Sequence, residues 1–512
     1  MKKTLPGLLL TAAFTAPTFA TSDFGIKVEH LLKAQAFKYF GIIKPLAESV
    51  SDHTTRQTEQ SASDVVNVAT GLHAQFFTRE SSAWADQIAF WPNRENATHL
   101  FTGVENFNPL TGSHGESQAC VQRIDITTGK SEIVLRGPLG CDGIRVTPWG
   151  TIIVAEEKSD GALYEILDPL NVTEVVVSDR NTGANSNPTH IAKRQVQGLK
   201  SWEGIVVLPN GVLYSGDELR PGDQRDATGT RVSDSDGGTL YKFVPDIMHI
   251  DGTIDSLADS PLAHGSLYAM QVSCQEVSSS RFPQFGQGCE IGDATWIRID
   301  SPENARAEAD AKGATGYYRP EDFDIDPLFD NSEGVRFCVA NTQREKAHGY
   351  GEVICVVDEY VNAHDELIDE RTGYSYLAVG SNFATTTVTR FIEGGTKFNS
   401  LDNLAFQPHT GILYVVEDHK NGDVWACLPD GNDDNVQSDG CIRVLSIKDQ
   451  SAEPTGFIFD ETGTKAFVNI QHSDDTSMPQ EVNGFTTDDM IEITGFKVHP
   501  GMLPAPTAGI TP

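Results

Sequence analysis

The chain has 512 residues, 39% of them hydrophobic, enough to bury a sizeable core. Its 72 acidic residues against 38 basic ones give a formal net charge of −34, which argues against nucleic acid as a partner, because phosphate contacts need clustered Lys and Arg. No stretch approaches the ~18 apolar residues of a membrane-spanning helix, and the absence of G-x-S-x-G, H-E-x-x-H and Walker patterns speaks against the common hydrolase and nucleotide-binding types.

Residues 1–20 read as a signal peptide. Lys2 and Lys3 precede an apolar run from Leu5 to Phe14, and small residues lead to Ala20. With Lys-Lys and no twin Arg, the segment predicts export by the Sec route, to the periplasm or the medium. Residues 21–70 form an N-terminal helical extension. Val28, Leu31, Leu32, Ala36, Phe37 and Phe40 recur at helical spacing and predict one helix between Phe24 and Val50, packed on the rest of the chain.

From 71 to 495 a self-similar segment recurs: a polar residue, an apolar strand, a turn rich in Pro or Gly, and a second strand ending in acid or amide. Six copies can be read, opening at Asp86, Asp142, Glu203, Glu321, Asp402 and Thr455. Asp142-Gly-Ile-Arg-Val-Thr-Pro148-Trp-Gly150 followed by Thr151-Ile-Ile-Val-Ala-Glu156-Glu157 is a clear example. A third strand follows several copies, as in Gly161-Ala-Leu-Tyr164 and Gly422-Asp-Val-Trp425. Two-residue alternation with β-branched and aromatic residues argues for strands. Repetition of such units predicts an all-β, six-bladed β-propeller with a short N-terminal helical segment. Residues 496–512 form a Pro-rich C-terminal tail expected to pack loosely.

The eight cysteines fall into sequence neighbours, Cys120 with Cys141, Cys274 with Cys289, Cys338 with Cys355 and Cys427 with Cys441. In an exported chain this suggests disulfides, and the short spacings favour pairing within a blade.

In a propeller the innermost strands line a channel, so the acids opening the copies converge at one mouth. They are joined there by strand-end residues: Glu105, Glu156, Glu157, Asp217, Glu218, Asn341, Glu417, Asp418 and Asn469. Crowded carboxylates are costly unless a cation neutralises them, and calcium, which takes six to eight oxygen ligands, is the natural one. Asp430-x-Asn432-x-Asp434 lacks the Gly and Glu of a calcium loop and reads as a polar loop; Asp234-Ser-Asp236 reads as a turn; His419 and His472 read as hydrogen-bonded structural residues.

At Cys141-Asp-Gly-Ile-Arg-Val-Thr-Pro-Trp-Gly-Thr151, Gly216-Asp-Glu218, Tyr241-Lys-Phe-Val244, Arg319-Pro-Glu321, Thr455-Gly-Phe and Phe467-Val-Asn-Ile-Gln-His472 the sequence resembles the PhoX-type alkaline phosphatases and their relatives among exported propellers. The resemblance runs from about residue 85 to 475. It implies a cluster of calcium and iron ions over the channel and hydrolysis of a small phosphate monoester. It also implies roles for individual residues: Cys141 as an iron-binding thiolate, Glu203 and Glu321 as metal-bridging carboxylates, Asp402 as a calcium or iron ligand, and Arg319 as a clamp on the phosphate, with Glu105, Glu156 and Glu218 as ligands or groups behind them. Ferric iron requires Cys141 to be free, whereas nearby Cys120 offers it a disulfide. Two other readings stay open: a calcium-dependent lactonase or phosphotriesterase, and a non-catalytic calcium-binding propeller that docks a partner.

Overall fold

Apolar runs that alternate with polar residues and end at Pro-x-Gly turns fold as antiparallel hairpins. Gly150 and Gly211 supply the positive φ that ends the turns after Pro148 and Pro209, and their N–H groups close onto Thr147 and Leu208. The computed structural model describes residues 30–498 apart from 52, 108–116, 223–235, 274–289, 330, 344–348, 429–439, 474–480 and 483. The signal-peptide segment, Cys274, Cys289, Asp234 and the 430–434 loop lie outside the described residues.

Each copy of the repeat opens with a strand: β1 (Ala85–Trp91), β2 (Cys141–Val146), β3 (Trp202–Val207), β4 (Pro320–Ile325), β5 (Leu401–Phe406) and β6 (Glu453–Phe459). Each pairs antiparallel with the strand that follows it: His99–Val104, Thr151–Glu156, Leu213–Asp217, Val335–Asn341, Leu413–Glu417 and Lys465–Gln471. The opening strands form a ring in which each packs against the next and β6 against β1. The fold is an all-β propeller, yet hydrogen bonding does not divide it into six separate sheets. The outer strands Gly292–Ile299 and Thr386–Glu393 pair with each other and merge the third and fourth meanders into one eleven-stranded sheet.

The last meander is completed from the other end of the chain. Strand His73–Ser82 pairs with Phe485–Thr494, and Val66–Val68 adds to the edge strand Cys441–Ile447 of the fifth meander. The expected N-terminal helix stops short of Val50. It ends at Phe40, where Gly41 takes a left-handed conformation, and it buries Leu32, Ala36 and Phe40 in the same core as Ile442, Ile470 and Ile491. The tail begins firmly, with Phe496 packed edge-on against Tyr414 and Phe459.

Three disulfides lie among the described residues. Cys338–Cys355 and Cys427–Cys441 join facing residues of neighbouring strands. Cys120–Cys141 departs from the expected pattern: it ties the third strand of the first meander to β2 of the second. Ring packing brings those two strands together, which sequence spacing cannot register.

One buried carboxylate fastens the closing strands. Asp489 accepts from Nε of Arg56 at 2.9 Å and from Nε of Arg79 at 2.9 Å, which links the N-terminal extension, the first closing strand and the last strand of the chain. Removing it leaves two guanidinium groups facing each other beside a dry interior. Asp489→Ala is expected to lower the unfolding free energy by about 3–5 kcal/mol, the range for breaking one side of a buried pair. Urea unfolding measures this, and a change below ~1 kcal/mol would show that the closure does not depend on it.

Candidate metal centre at the channel mouth

In five of the six copies an acidic residue sits at an interruption in strand pairing. Register shifts between Ala85 and Ile88, Cys141 and Ile144, Trp202 and Ile205, Pro320 and Phe323, and Leu401 and Leu404 leave Asp86, Asp142, Glu203, Glu321 and Asp402 out of the ladder. The sixth shift, between Thr455 and Ile458, falls on Gly456 instead. A bulge re-aims the side chain at that position, here toward the other opening strands. Glycine lets neighbouring strands approach. A Cβ on Gly143 would lie 2.2 Å from the carbonyl oxygen of Glu203, and one on Gly456 2.2 Å from that of Asp86.

The result is a chain of carboxylates. Asp86, Glu105 and Asp142 present oxygens within 4.8 Å of one another; so do Asp142, Glu157 and Glu203; so do Glu203, Glu321 and Asp402. Shared members make the three groups continuous. Gln471 donates to Asp86 at 3.3 Å and to Glu105 at 3.1 Å, and Thr342 donates to Glu321. From below, Gln87 donates to Glu203 at 3.2 Å and accepts from Arg145, which also pairs with Asp322 at 2.6 Å. Arg319 stands at the edge. Its guanidinium pairs with Glu218, with Glu321 at 3.1 Å and with Asp418 at 3.3 Å.

The strand-end acids divide by strand alternation. In Glu156-Glu157, Asp217-Glu218 and Glu417-Asp418 the first residue turns into the sheet and the second toward the mouth. Glu156 accepts from the N–H groups of Leu139 and Ala162 and pairs with Arg180 at 2.5 Å. Glu417 accepts from the N–H groups of Asn399 and Asp423, and Asp217 accepts from Ser201 and pairs with Arg306. The structure therefore does not bring the sequence candidate Glu156 into the cluster; its neighbour Glu157 is there instead. Asn341 donates to Glu352, Asn469 to the carbonyl of Asp86 and Thr455 to the carbonyl of Ala85, so these three serve the framework. His472 pairs with Glu453 at 2.9 Å, and His419 lies 3.6 Å from Glu417.

Cys141 begins β2 beside Asp142, but its sulfur is bonded to Cys120. A disulfide sulfur offers no thiolate, so the expected iron-binding role of Cys141 does not hold in this structure. The donors that remain are oxygens.

Burial pushes the carboxyls of Asp86, Asp142, Glu157, Glu203 and Asp402 well above their ordinary range, and the negative charge of their neighbours adds to it. Glu321 rises for the same first reason, although Arg319 opposes the rise. Burial would also raise Glu218, but the guanidinium of Arg319 and hydrogen bonds outweigh it and hold the group below its ordinary value. The cluster must hold protons or cations. Asp142 Oδ1 is buried with no hydrogen-bond partner, and the donor set is the one hard cations take. The residues present fit a metal centre.

Without cations the folded state keeps these protons to higher pH than the unfolded chain, whose carboxyls titrate near 4. Metal-free protein is therefore expected to be most stable on the acid side and to lose stability as pH rises above about 5. Added calcium is expected to raise the melting temperature by an amount that grows toward neutral pH, and chelation to reverse it, as mass action requires. Melting curves at several pH values, with and without chelator, measure both. Curves indifferent to chelator and pH would show that no cation neutralises the cluster.

The family model described as alkaline phosphatase PhoX matches residues 225–474. Among solved structures, PhoX of Pseudomonas fluorescens, determined in complex with vanadate as a transition-state analogue, is 15% identical with a TM-score of 0.53, over 89% of this chain and 99% of that chain. A putative gluconolactonase is 10% identical with a TM-score of 0.39, over 86% of this chain and 97% of that chain. A gluconolactonase of Xanthomonas campestris is 12% identical with a TM-score of 0.38, over 89% and 99%. No curated protein matches the chain in sequence. The chain is thus similar to the PhoX alkaline phosphatase family over residues 225–474, and it shares its fold with the Pseudomonas structure.

Proposed function

We propose that the chain is an exported, metal-dependent phosphatase that hydrolyses small phosphate monoesters at the carboxylate cluster. The observation that carries this reading is the run of three overlapping carboxylate groups bordered by Arg319. The PhoX family match supports the reaction class, and three disulfides support an oxidising compartment. Among the described residues no helix is long and apolar enough to cross a membrane.

Glu203, Glu321 and Asp402 would hold one ion, and Asp86, Glu105, Asp142 and Glu157 would hold others. Calcium is the ion we assign, because the donors are carboxylate oxygens and Cys141 is not free. Bound ions supply positive charge that polarises a phosphoryl group. The chain's own contribution is to keep seven carboxylates within reach of one another on an inextensible ring of strands, and to aim a guanidinium at their edge. The planar fork of Arg319 matches two phosphate oxygens, while Glu218 and Asp418 fix its orientation. Gln87, held by Arg145, sets the rotamer of Glu203 from below.

Glu321→Ala is expected to remove bound metal, read by elemental analysis, and to lower kcat/KM on phosphomonoesters by at least about 100-fold, the scale for deleting one electrostatic element of an active site. Glu321→Gln keeps the shape and should lose metal likewise. An active, metal-free variant would overturn the role of Glu321. Turnover of lactones by the natural protein, with phosphate esters ignored, would replace this reading with a lactonase; no turnover at all, with calcium retained, would leave a binding propeller.

A further inference from the structure

The rim of the carboxylate cluster carries an aromatic wall. Trp84 stands just before β1, 38% exposed, with its ring edge-on to His472 at a centroid distance of 4.0 Å and an angle of 86°. His472 is bonded to Glu453 at 2.9 Å, and the negative charge of Asp418, the partner of Arg319 at 3.3 Å, acts on Glu453 in turn. The indole is therefore a few side chains from the guanidinium assigned to the phosphate.

The backbone beneath this wall is strained. Trp84 has φ 71° and His472 has φ 65°, in the left-handed region that bulky residues rarely enter. A turn with only a structural duty would take Gly or Asn there. Here the strained conformation is fixed by a shared anchor. Asp488, almost fully buried, accepts the N–H of Trp84 at 3.2 Å and the N–H of His472 at 3.1 Å through one oxygen. The carbonyl of Trp84 accepts the N–H of Glu105 at 2.8 Å, and Ala83 donates to Thr486 at 3.1 Å. The two rings are thus placed from below by one carboxylate, and the indole is tied by backbone to a residue of the metal cluster.

We propose that Trp84, backed by His472, forms the leaving-group subsite of this centre and selects phosphate monoesters whose alcohol carries a flat aromatic ring over short aliphatic ones. The inference rests on the phosphatase reading above. A partly exposed indole whose backbone is bonded to Glu105 of the cluster offers a stacking face at its rim, and stacking on such a face is insensitive to the exact ring presented. Trp84 is a specificity-determining residue; it touches none of the groups assigned to the reacting phosphorus.

The test compares phenyl phosphate and glycerol 3-phosphate on the metal-loaded protein and on Trp84→Ala and Trp84→Phe. The expected result is a fall of about tenfold in kcat/KM on phenyl phosphate for Trp84→Ala, carried by KM, at least fivefold larger than the fall on glycerol 3-phosphate, and largely restored by Trp84→Phe. Equal falls on both esters, or none on either, overturn the subsite. Calorimetric binding of phenylphosphonate and methylphosphonate separates its failure from that of the phosphatase reading. Tighter binding of the phenyl compound that vanishes in Trp84→Ala sustains the subsite even if neither ester is hydrolysed, and equal binding overturns it.

Discussion

The close approach of six strands around one axis is the constraint on which the rest depends. It is set by backbone contact: Gly143 lies against the carbonyl of Glu203 and Gly456 against that of Asp86, with no space for a side chain. Strands packed this tightly bring their bulged residues to one mouth, and five of those residues are acids. The cluster's electrostatic strain is thus a product of packing. Dispersing the charge would require opening the ring, which the hydrophobic cores between the sheets resist.

Two kinds of carboxylate result, and they differ in what satisfies them. Glu156, Asp217 and Glu417 are fully occupied by backbone N–H groups and by guanidinium or imidazole partners; they hold loops in place. Asp142 keeps an oxygen with no partner, and Asp86, Glu203 and Asp402 are surrounded mainly by like charge. A buried polar atom without a partner marks where the protein is incomplete by itself. Arg319 lies between the two kinds: three carboxylates engage it, yet its side chain stays partly open to solvent.

Much of this was legible in the residues alone. The repeat opening at Asp86, Asp142, Glu203, Glu321, Asp402 and Thr455 marks every opening strand, because a two-residue period and a Pro-Gly turn are local signals. Asp402, Glu203 and Glu321 do converge. What escaped is what depends on orientation or on distant pairing. Glu156 and Glu157 are indistinguishable in composition, and only the strand's phase decides which one faces the axis. Cys120–Cys141 crosses between meanders, so sequence proximity suggested the wrong kind of bridge. Trp84 and Asp488 had no motif, since their partnership joins residues from opposite ends of the chain. The helix was allowed to run as far as Val50, but it ends at Gly41, whose left-handed conformation apolar spacing does not signal.

The way the ring is closed also governs how it can be made. Among the described residues strand His73–Ser82 pairs with Phe485–Thr494 alone, so one of the earliest strands synthesised waits for the last. Until then the sixth meander is open and two strand edges are bare, ready to pair with another chain. Folding is therefore non-local at its decisive step and slow for its size. A chain truncated before Phe485 would keep every carboxylate of the cluster in its sequence but no closed ring to gather them, and the centre would vanish together with the seam.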